Sequence, residues 1–219
     1  MEVKMMLIVS AGFILIFALG ELFYYFDKGQ NKGLTRKFTH ISAGALIFFF
    51  PFFFTKNNSV LILSNVFFLV LLISMTSNKL SSIHDINESN VGAIIYPIII
   101  YVMFVIDHNP AHFYQIPILI LCLSDGFAGA IGKEWGKHYY SYLGWKKTFE
   151  GSLTFFLITL GIMIVFALKL PLKFYLLPVV AIPLYAFILT IIEALTPYGF
   201  DNYTVPFFAY WLLRLTIAK

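Results

Sequence analysis

Residues 3–26, VKMMLIVSAGFILIFALGELFYYF, form a continuous apolar run near the start of the chain. A helix needs about 20 mostly apolar residues to cross the hydrocarbon core of a bilayer. The run is also longer than the apolar core of a signal peptide, which is about 7–15 residues. The run therefore predicts a transmembrane helix that is not removed as a signal peptide. Its length is the reference for the other apolar runs.

Comparable apolar runs recur along the sequence, at 37–55, 59–76, 91–106, 112–132, 151–168, 174–194 and 203–217. They are continuous, whereas the strands of a membrane barrel alternate between apolar and polar residues. We expect an all-α polytopic transmembrane bundle of about eight spans, or seven if the short run 203–217 does not cross the membrane.

The composition agrees with a membrane protein and excludes several other classes. The chain is 60% hydrophobic and 12% charged, with a mean hydropathy of +0.85, whereas soluble domains are about half apolar and a quarter charged. We expect one integral membrane domain over residues 1–219. The single cysteine excludes internal disulfides and thiolate metal clusters. The net charge of +4 is not arranged as a nucleic-acid-binding face, so no nucleic-acid partner is expected.

Lysine and arginine residues, which favour the cytoplasmic side of a membrane, orient the predicted bundle. With the N-terminus outside, the inner segments hold nine of them: Lys28, Lys32, Arg36, Lys37, Lys79, Lys133, Lys137, Lys146 and Lys147. The outer segments hold six: Lys4, Lys56, Lys169, Lys173, Arg214 and Lys219. Most of the acidic residues within the bundle also fall at the inner helix ends. We therefore expect a site assembled at the cytoplasmic face.

The stretch TRKFTH, residues 35–40, places cationic residues at the start of the second predicted span. On a helix, Arg36 and His40 share a face, and Gly44 continues that face one turn deeper. Held at the membrane edge, Arg36 and Lys37 would bind phosphate oxygens. The alternative is that both side chains only snorkel to the interface, as basic residues at such positions often do.

The stretch SDGFAGAIGKEWGK, residues 124–137, would place Asp125, Gly129, Gly132 and Gly136 on one helical face. An aspartate inside a span is costly and is therefore a functional hypothesis by default. Carboxylates of this kind hold Mg²⁺ together with substrate phosphates. The glycines would provide either a surface for close helix packing or bare backbone against which a phosphate chain lies.

The connector after this helix is rich in lysine. Neither Gly132-Lys133 nor Gly136-Lys137 completes a P-loop, because the upstream glycine and the following Ser or Thr are missing. The stretch KKTFEGS, residues 146–152, then leads into the sixth predicted span. Its polar residues either cap the helix start or form an anion site at a helix N-terminus. They are Lys146, Lys147, Thr148, Glu150, Gly151 and Ser152.

Two further polar stretches border predicted spans. In EALTPYGFDNYTVPF, residues 193–207, Asp201 and Asn202 precede the last apolar run. They either cap its helix or contact a metal ion or a ribose. In NESNVGAIIYP, residues 87–97, Glu88 precedes the fourth run and is a further candidate metal ligand.

In this order the motifs resemble those of the CTP-dependent polyprenol kinases. That family includes dolichol and phytol kinases, with CTP-dependent diacylglycerol kinases and phosphatidate cytidylyltransferases as relatives. The motifs read Arg36-Lys37-Phe38-Thr39-His40, Asp125 to Lys137, Lys147-Thr148-Phe149-Glu150-Gly151-Ser152 and Asp201-Asn202-Tyr203-Thr204-Val205-Pro206. The resemblance covers about residues 34–207. The KKTFEGS form is closer to dolichol kinases than to phytol kinases, and Ser124 departs from the glycine that many members have.

The resemblance implies transfer of the γ-phosphoryl group of CTP to the hydroxyl of a lipid alcohol, with Mg²⁺ or another divalent cation as cofactor. It implies CTP contacts at Arg36, Lys37, Gly129, Gly132, Lys133, Gly136, Lys137, Lys146, Thr148, Gly151, Ser152 and Asn202. It implies metal ligands among Asp125, Glu150, Asp201 and Glu88, and catalytic roles for Asp125, His40, Lys147 and Glu150. Either His40 or Asp125 would orient or deprotonate the alcohol.

Dolichol or another polyprenol is the expected acceptor, with phytol, geranylgeraniol and diacylglycerol as alternatives. The rival classes are a phosphatidate cytidylyltransferase, a small transporter and a structural membrane protein. A transporter often shows repeated halves and places its ionisable residues near the midplane, neither of which the sequence indicates. We expect an integral membrane protein of the plasma membrane in a prokaryote or of the endoplasmic reticulum in a eukaryote. The sequence does not predict an oligomeric state.

Overall fold

A computed structural model describes residues 2–77, 91–142, 145–170, 177–197 and 199–217. Its helices are α1 (Glu2–Phe26), α2 (Lys32–Ile47), α3 (Phe50–Phe53), α4 (Asn57–Ser77), α5 (Val91–Asp107), α6 (His112–Leu119), α7 (Gly126–Trp135), α8 (Phe149–Lys169), α9 (Pro178–Leu195) and α10 (Asp201–Thr216). A π-helical segment, Ile120–Asp125, joins α6 to α7. Two short antiparallel strands, β1 (Tyr139–Tyr142) and β2 (Trp145–Thr148), pair with Tyr139 opposite Thr148.

Helices long and apolar enough to cross a membrane confirm the all-α polytopic fold. Within the described ranges there are five: Glu2–Phe26, Asn57–Thr76, His112–Trp135, Phe149–Lys169 and Pro178–Leu195. A shorter apolar helix covers Gly92–Asp107. The protein is therefore an integral membrane protein, and each of the eight predicted apolar ranges contains a helix.

The second predicted span differs from the range 37–55. Its helix, α2, begins at Lys32 and ends at Ile47, and the short α3 follows. The carbonyl of Ile47 would need the N–H of residue 51 to continue the helix, but Pro51 has none. The sequence predicted only a lysine-rich connector between residues 124–137 and KKTFEGS, whereas the structure forms the antiparallel strands β1 and β2 in this region.

The π-helical segment lies at the centre of the bundle. It packs against α2, α8 and α10, and most of its side chains are buried. Ser124 accepts a hydrogen bond from Thr159 of α8 at 2.9 Å, so the hydroxyl that departs from the family pattern has a buried partner. The next residue, Asp125, is thereby held at the junction of several helices.

Candidate functional site

Three carboxylates from three different helical elements meet at one place. Asp125 ends the π-helical segment, Glu193 lies in the last turn of α9, and Asp201 begins α10. One oxygen of each lies within 4.8 Å of the others, and we call these residues the acid cluster. Like charges this close repel one another, so the arrangement requires cations nearby.

Two lysines supply part of that positive charge. The Nζ of Lys37 lies 2.8 Å from Oδ2 of Asp125 and donates to the Asp125 carbonyl at 3.2 Å. The Nζ of Lys147 lies 2.6 Å from Oε1 of Glu193 and 3.8 Å from Oδ2 of Asp201. Burial lowers the pKa of Lys147, but Glu193 and Asp201 outweigh it and raise that pKa above its usual value. Lys147 is therefore held as an ammonium ion.

The acid cluster fits a divalent cation. Its donors are carboxylate oxygens, which Mg²⁺ prefers. Oε2 of Glu193 is buried and has no hydrogen-bond partner among the described residues, although buried polar atoms are normally paired. A cation bound by Asp125, Glu193 and Asp201 would satisfy this oxygen.

Glu193 received no role in the sequence analysis, although a signal was present. It is an acid within the apolar helix α9, and such residues are rare and functional by default. The structure brings it to the two predicted ligands Asp125 and Asp201.

The structure separates Glu150 from the acid cluster. Its Oε1 lies 2.7 Å from Nδ1 of His138, and both carboxylate oxygens accept from the His138 backbone N–H. Glu150 lies in the first turn of α8 and pairs with the residue just before the hairpin. It therefore connects α8 to this loop and is not a member of the acid cluster. The other predicted ligand, Glu88, lies outside the described residues.

His40 lies beside Asp125, with Nε2 3.7 Å from Oδ2 of that residue. Nε2 also lies 3.0 Å from the carbonyl oxygen of Leu121. A carbonyl oxygen can only accept a hydrogen bond, so Nε2 carries the hydrogen. Any proton that His40 accepts from a substrate must therefore go to Nδ1.

The glycine face of α7 permits close approach of two other elements. A side chain at Gly129 would place its Cβ 2.7 Å from Nζ of Lys37, and one at Gly132 would lie 2.7 Å from Oγ1 of Thr148. Thr148 caps α8 by accepting from the N–H of Gly151 at 3.1 Å. The structure therefore contains both the close packing against the α7 glycines and the Thr148 cap of α8.

A polar cavity of about 390 Å³ lies next to the acid cluster. Nine of the predicted CTP contacts line it: Arg36, Lys37, Gly129, Gly132, Lys133, Lys146, Thr148, Gly151 and Ser152. Lys147, Asp125, Glu193 and Asp201 line it as well. Gly136 and Lys137 are not among the described residues that line it, and Asn202 instead donates to the Gly92 carbonyl at 2.9 Å.

An apolar cavity of about 200 Å³ lies between α1, α2, α4 and α5. Side chains such as Phe17, Ala43, Ile47, Leu63, Phe67 and Ile100 line it. It shares five residues with the polar cavity, namely Arg36, Lys37, Asp125, Trp145 and Asp201. An apolar molecule and a polyanion bound in the two cavities would therefore meet at Asp125.

Comparison with known proteins defines the class to which this membrane site belongs. The chain belongs to the cytidylyltransferase family, whose model matches residues 1–199. Among curated proteins, the phytol kinase of Synechocystis sp. (strain PCC 6803) is 27% identical over 175 residues, which cover 79% of this chain and 75% of that protein. No solved structure matches the chain significantly. These matches confirm the family resemblance drawn from the motifs.

Gly129→Ala should lower activity without unfolding the protein. The new Cβ would collide with the flexible end of Lys37 and force its ammonium away from Asp125. Because small misplacements of aligned groups cost about 10²-fold in rate, we expect a loss of that order in an assay of the purified enzyme. Gly161→Ala on α8 is the matched control, since a Cβ added there would meet no packed neighbour within 4 Å among the described residues. Equal activity of the two variants would contradict the prediction.

Proposed function

We propose that the protein is a CTP-dependent kinase that transfers the γ-phosphoryl group to the hydroxyl of a lipid alcohol. The observation that carries this proposal is the meeting of the apolar and polar cavities at Asp125. A lipid tail fits the first, and a nucleotide triphosphate fits the second. The family match supports the use of CTP, and the name phytol kinase on a relative supports a lipid alcohol as acceptor.

The polar cavity offers the charge that a triphosphate needs. Five cationic side chains line it: Arg36, Lys37, Lys133, Lys146 and Lys147. Ser152 and Gly151, in the first turn of α8, lie on the same wall, and the N-terminus of a helix favours anions. We assign the triphosphate of CTP to this cavity, with the lysines on its phosphate oxygens.

The acid cluster would hold Mg²⁺ through Asp125, Glu193 and Asp201. When bound, the ion would neutralise charge on the phosphates, as in other phosphoryl-transfer enzymes. Lys37 and Lys147 contact these acids and also line the polar cavity. They are therefore placed to bind phosphate oxygens at the edge of the metal site.

The reaction requires alignment more than covalent chemistry from the protein. The alcohol oxygen bonds to the γ-phosphorus while the bond from that phosphorus to the β–γ bridging oxygen breaks, and CDP leaves. The alcohol proton goes either to Nδ1 of His40 or to the carboxylate of Asp125. Arg36, which lines both cavities, is placed to stabilise charge on the transferring group.

The test of this proposal uses the purified full-length protein, Mg²⁺ and a panel of lipid alcohols. The panel contains dolichol, a bacterial polyprenol, phytol, geranylgeraniol and diacylglycerol, each offered with γ-labelled CTP or γ-labelled ATP. We expect label in a lipid monophosphate with CTP and little with ATP. The same amount of product from ATP would contradict CTP dependence, and no labelled lipid from any pair would contradict the kinase.

A phosphatidate cytidylyltransferase is the second candidate, because the family that matches is named for cytidylyl transfer. That reaction would use the same polar cavity, but its acceptor is a phosphate group on a lipid with two tails. The apolar cavity is small, about 200 Å³, which favours a single tail. We therefore rank the kinase first.

We further propose that the chain acts as one membrane unit with its site facing the cytoplasm, as the lysine distribution predicts. The only cysteine, Cys122, is buried, so added cysteines can be labelled singly. In intact bacterial cells expressing the protein, Tyr139→Cys near the site should resist a membrane-impermeant maleimide. Lys169→Cys, at the opposite end of α8, should react. The reverse pattern would contradict the proposed orientation.

A further inference from the structure

Phenylalanine rings from α1, α3 and α4 form a cluster in the lining of the apolar cavity. The ring centroid of Phe13 lies 4.2 Å from that of Phe67 and 6.5 Å from that of Phe50, and Phe17 lies 6.1 Å from Phe67. All four residues line the cavity. Phe13 and Phe50 are only 5% and 2% exposed. We call these four residues the phenylalanine cluster.

Helix α2 gives the distance between this cluster and the reacting group. His40 lines the cavity beside Asp125, and Ile47 lines it three residues before Phe50 of the phenylalanine cluster. These residues are seven positions apart, which corresponds to about 10 Å along the helix axis. The hydrocarbon core of a bilayer is about 30 Å thick. The lining residues of α2 run from Arg36 to Ile47, about 16 Å along the axis, so the cavity reaches only part of the way across the membrane.

Resting on the proposed function, we propose that the phenylalanine cluster sets the length of the acceptor tail, so that short isoprenoid alcohols are preferred to long polyprenols. A short tail with its hydroxyl at Asp125 is enclosed over most of its length. Burial of apolar surface is favourable in proportion to its area. A long tail gains no further enclosure, because its remaining length must displace packed aromatic rings or pass out between helices. A short acceptor differs from dolichol, the long polyprenol that the KKTFEGS motif favours.

The experiment compares two phenylalanine-to-alanine variants of the full-length protein. Phe67→Ala opens the phenylalanine cluster, whereas Phe187→Ala removes a ring on α9 that is 56% exposed and lies outside the cavity. The acceptors are farnesol, geranylgeraniol, phytol and a long polyprenol, each assayed with γ-labelled CTP. Because pocket volume changes of this kind shift selectivity by about tenfold or more, the ratio of kcat/KM for polyprenol over farnesol should rise by that factor in Phe67→Ala. It should not change in Phe187→Ala.

A second variant tests the same inference in the opposite direction. Ala43 of α2 lines the cavity between His40 and Ile47 and is 7% exposed. Ala43→Leu should shorten the cavity, so that geranylgeraniol phosphorylation falls at least about tenfold while the short alcohol prenol is still phosphorylated. Unchanged length preference in both Phe67→Ala and Ala43→Leu, with an active wild type, would overturn this inference and leave the kinase standing. A wild type that phosphorylates no alcohol would overturn the proposed function itself.

Discussion

An Asp125→Asn variant is expected to lose phosphoryl transfer from CTP by about 10³-fold or more, as when other charged groups are removed from phosphoryl-transfer sites. Asp125 lies where the two cavities meet and belongs to the acid cluster. The amide keeps the size of the side chain but removes the charge that a metal ion and Lys37 require. The measurement is the initial rate of labelled lipid formation by the purified variant.

Asp107→Asn is the matched control for this prediction. Asp107 is also a buried aspartate in an ion pair, with Arg214, and it ends α5. Asp107 lies about 22 Å along α5 from Gly92, which lines the apolar cavity and whose carbonyl accepts a hydrogen bond from Asn202. We expect Asp107→Asn to lower stability but to keep the rate per folded molecule. Asp125→Asn with more than a tenth of wild-type activity would refute the assignment of Asp125.

The second large effect is expected from Lys147→Met. The ammonium of Lys147 is the partner of Oε1 of Glu193 and also lies near Asp201. Removing one member of a buried ion pair costs about 3–5 kcal/mol, because the remaining charge stays buried without compensation. We expect that loss in the free energy of unfolding, together with loss of activity. Thermal unfolding in detergent and the label-transfer assay measure the two effects.

The double variant Lys147→Met with Glu193→Gln separates stability from function. Neutralising Glu193 removes the unpaired charge, so most of the lost stability should return. Activity should not return, because the polar cavity would still lack one cation and the acid cluster one carboxylate. A double variant with wild-type activity would show that the Lys147–Glu193 pair is only structural.

Much of the fold could be predicted from the continuous apolar runs, because each run contains a helix. The extent of α2 could not, since its first turn, from Lys32, is polar and only tertiary packing extends the helix to it. The hairpin could not be predicted either. Its two strands have four residues each, which is too short for an alternating pattern to be distinguished from a connector.

The candidate site was partly predictable, because Asp125 and Asp201 stand out as acids beside apolar runs. Their approach to each other depends on how α10 is placed against the centre of the bundle, which no local pattern contains. No local pattern predicts the acidic partners of the lysines either. The sequence placed Lys37 and Lys147 among phosphate contacts, but only the structure shows that each also pairs with an acid. Glu150, in contrast, pairs with His138, a residue close to it in the sequence.

The position of the label in CTP distinguishes the kinase from the cytidylyltransferase. The purified protein, Mg²⁺ and geranylgeraniol or phosphatidate are incubated with CTP labelled at either the α- or the γ-phosphorus. We predict that γ-label enters the alcohol as a lipid monophosphate, while α-label stays in CDP. If α-label instead enters the lipid fraction with phosphatidate and pyrophosphate is released, the protein is a cytidylyltransferase and the kinase assignment is contradicted.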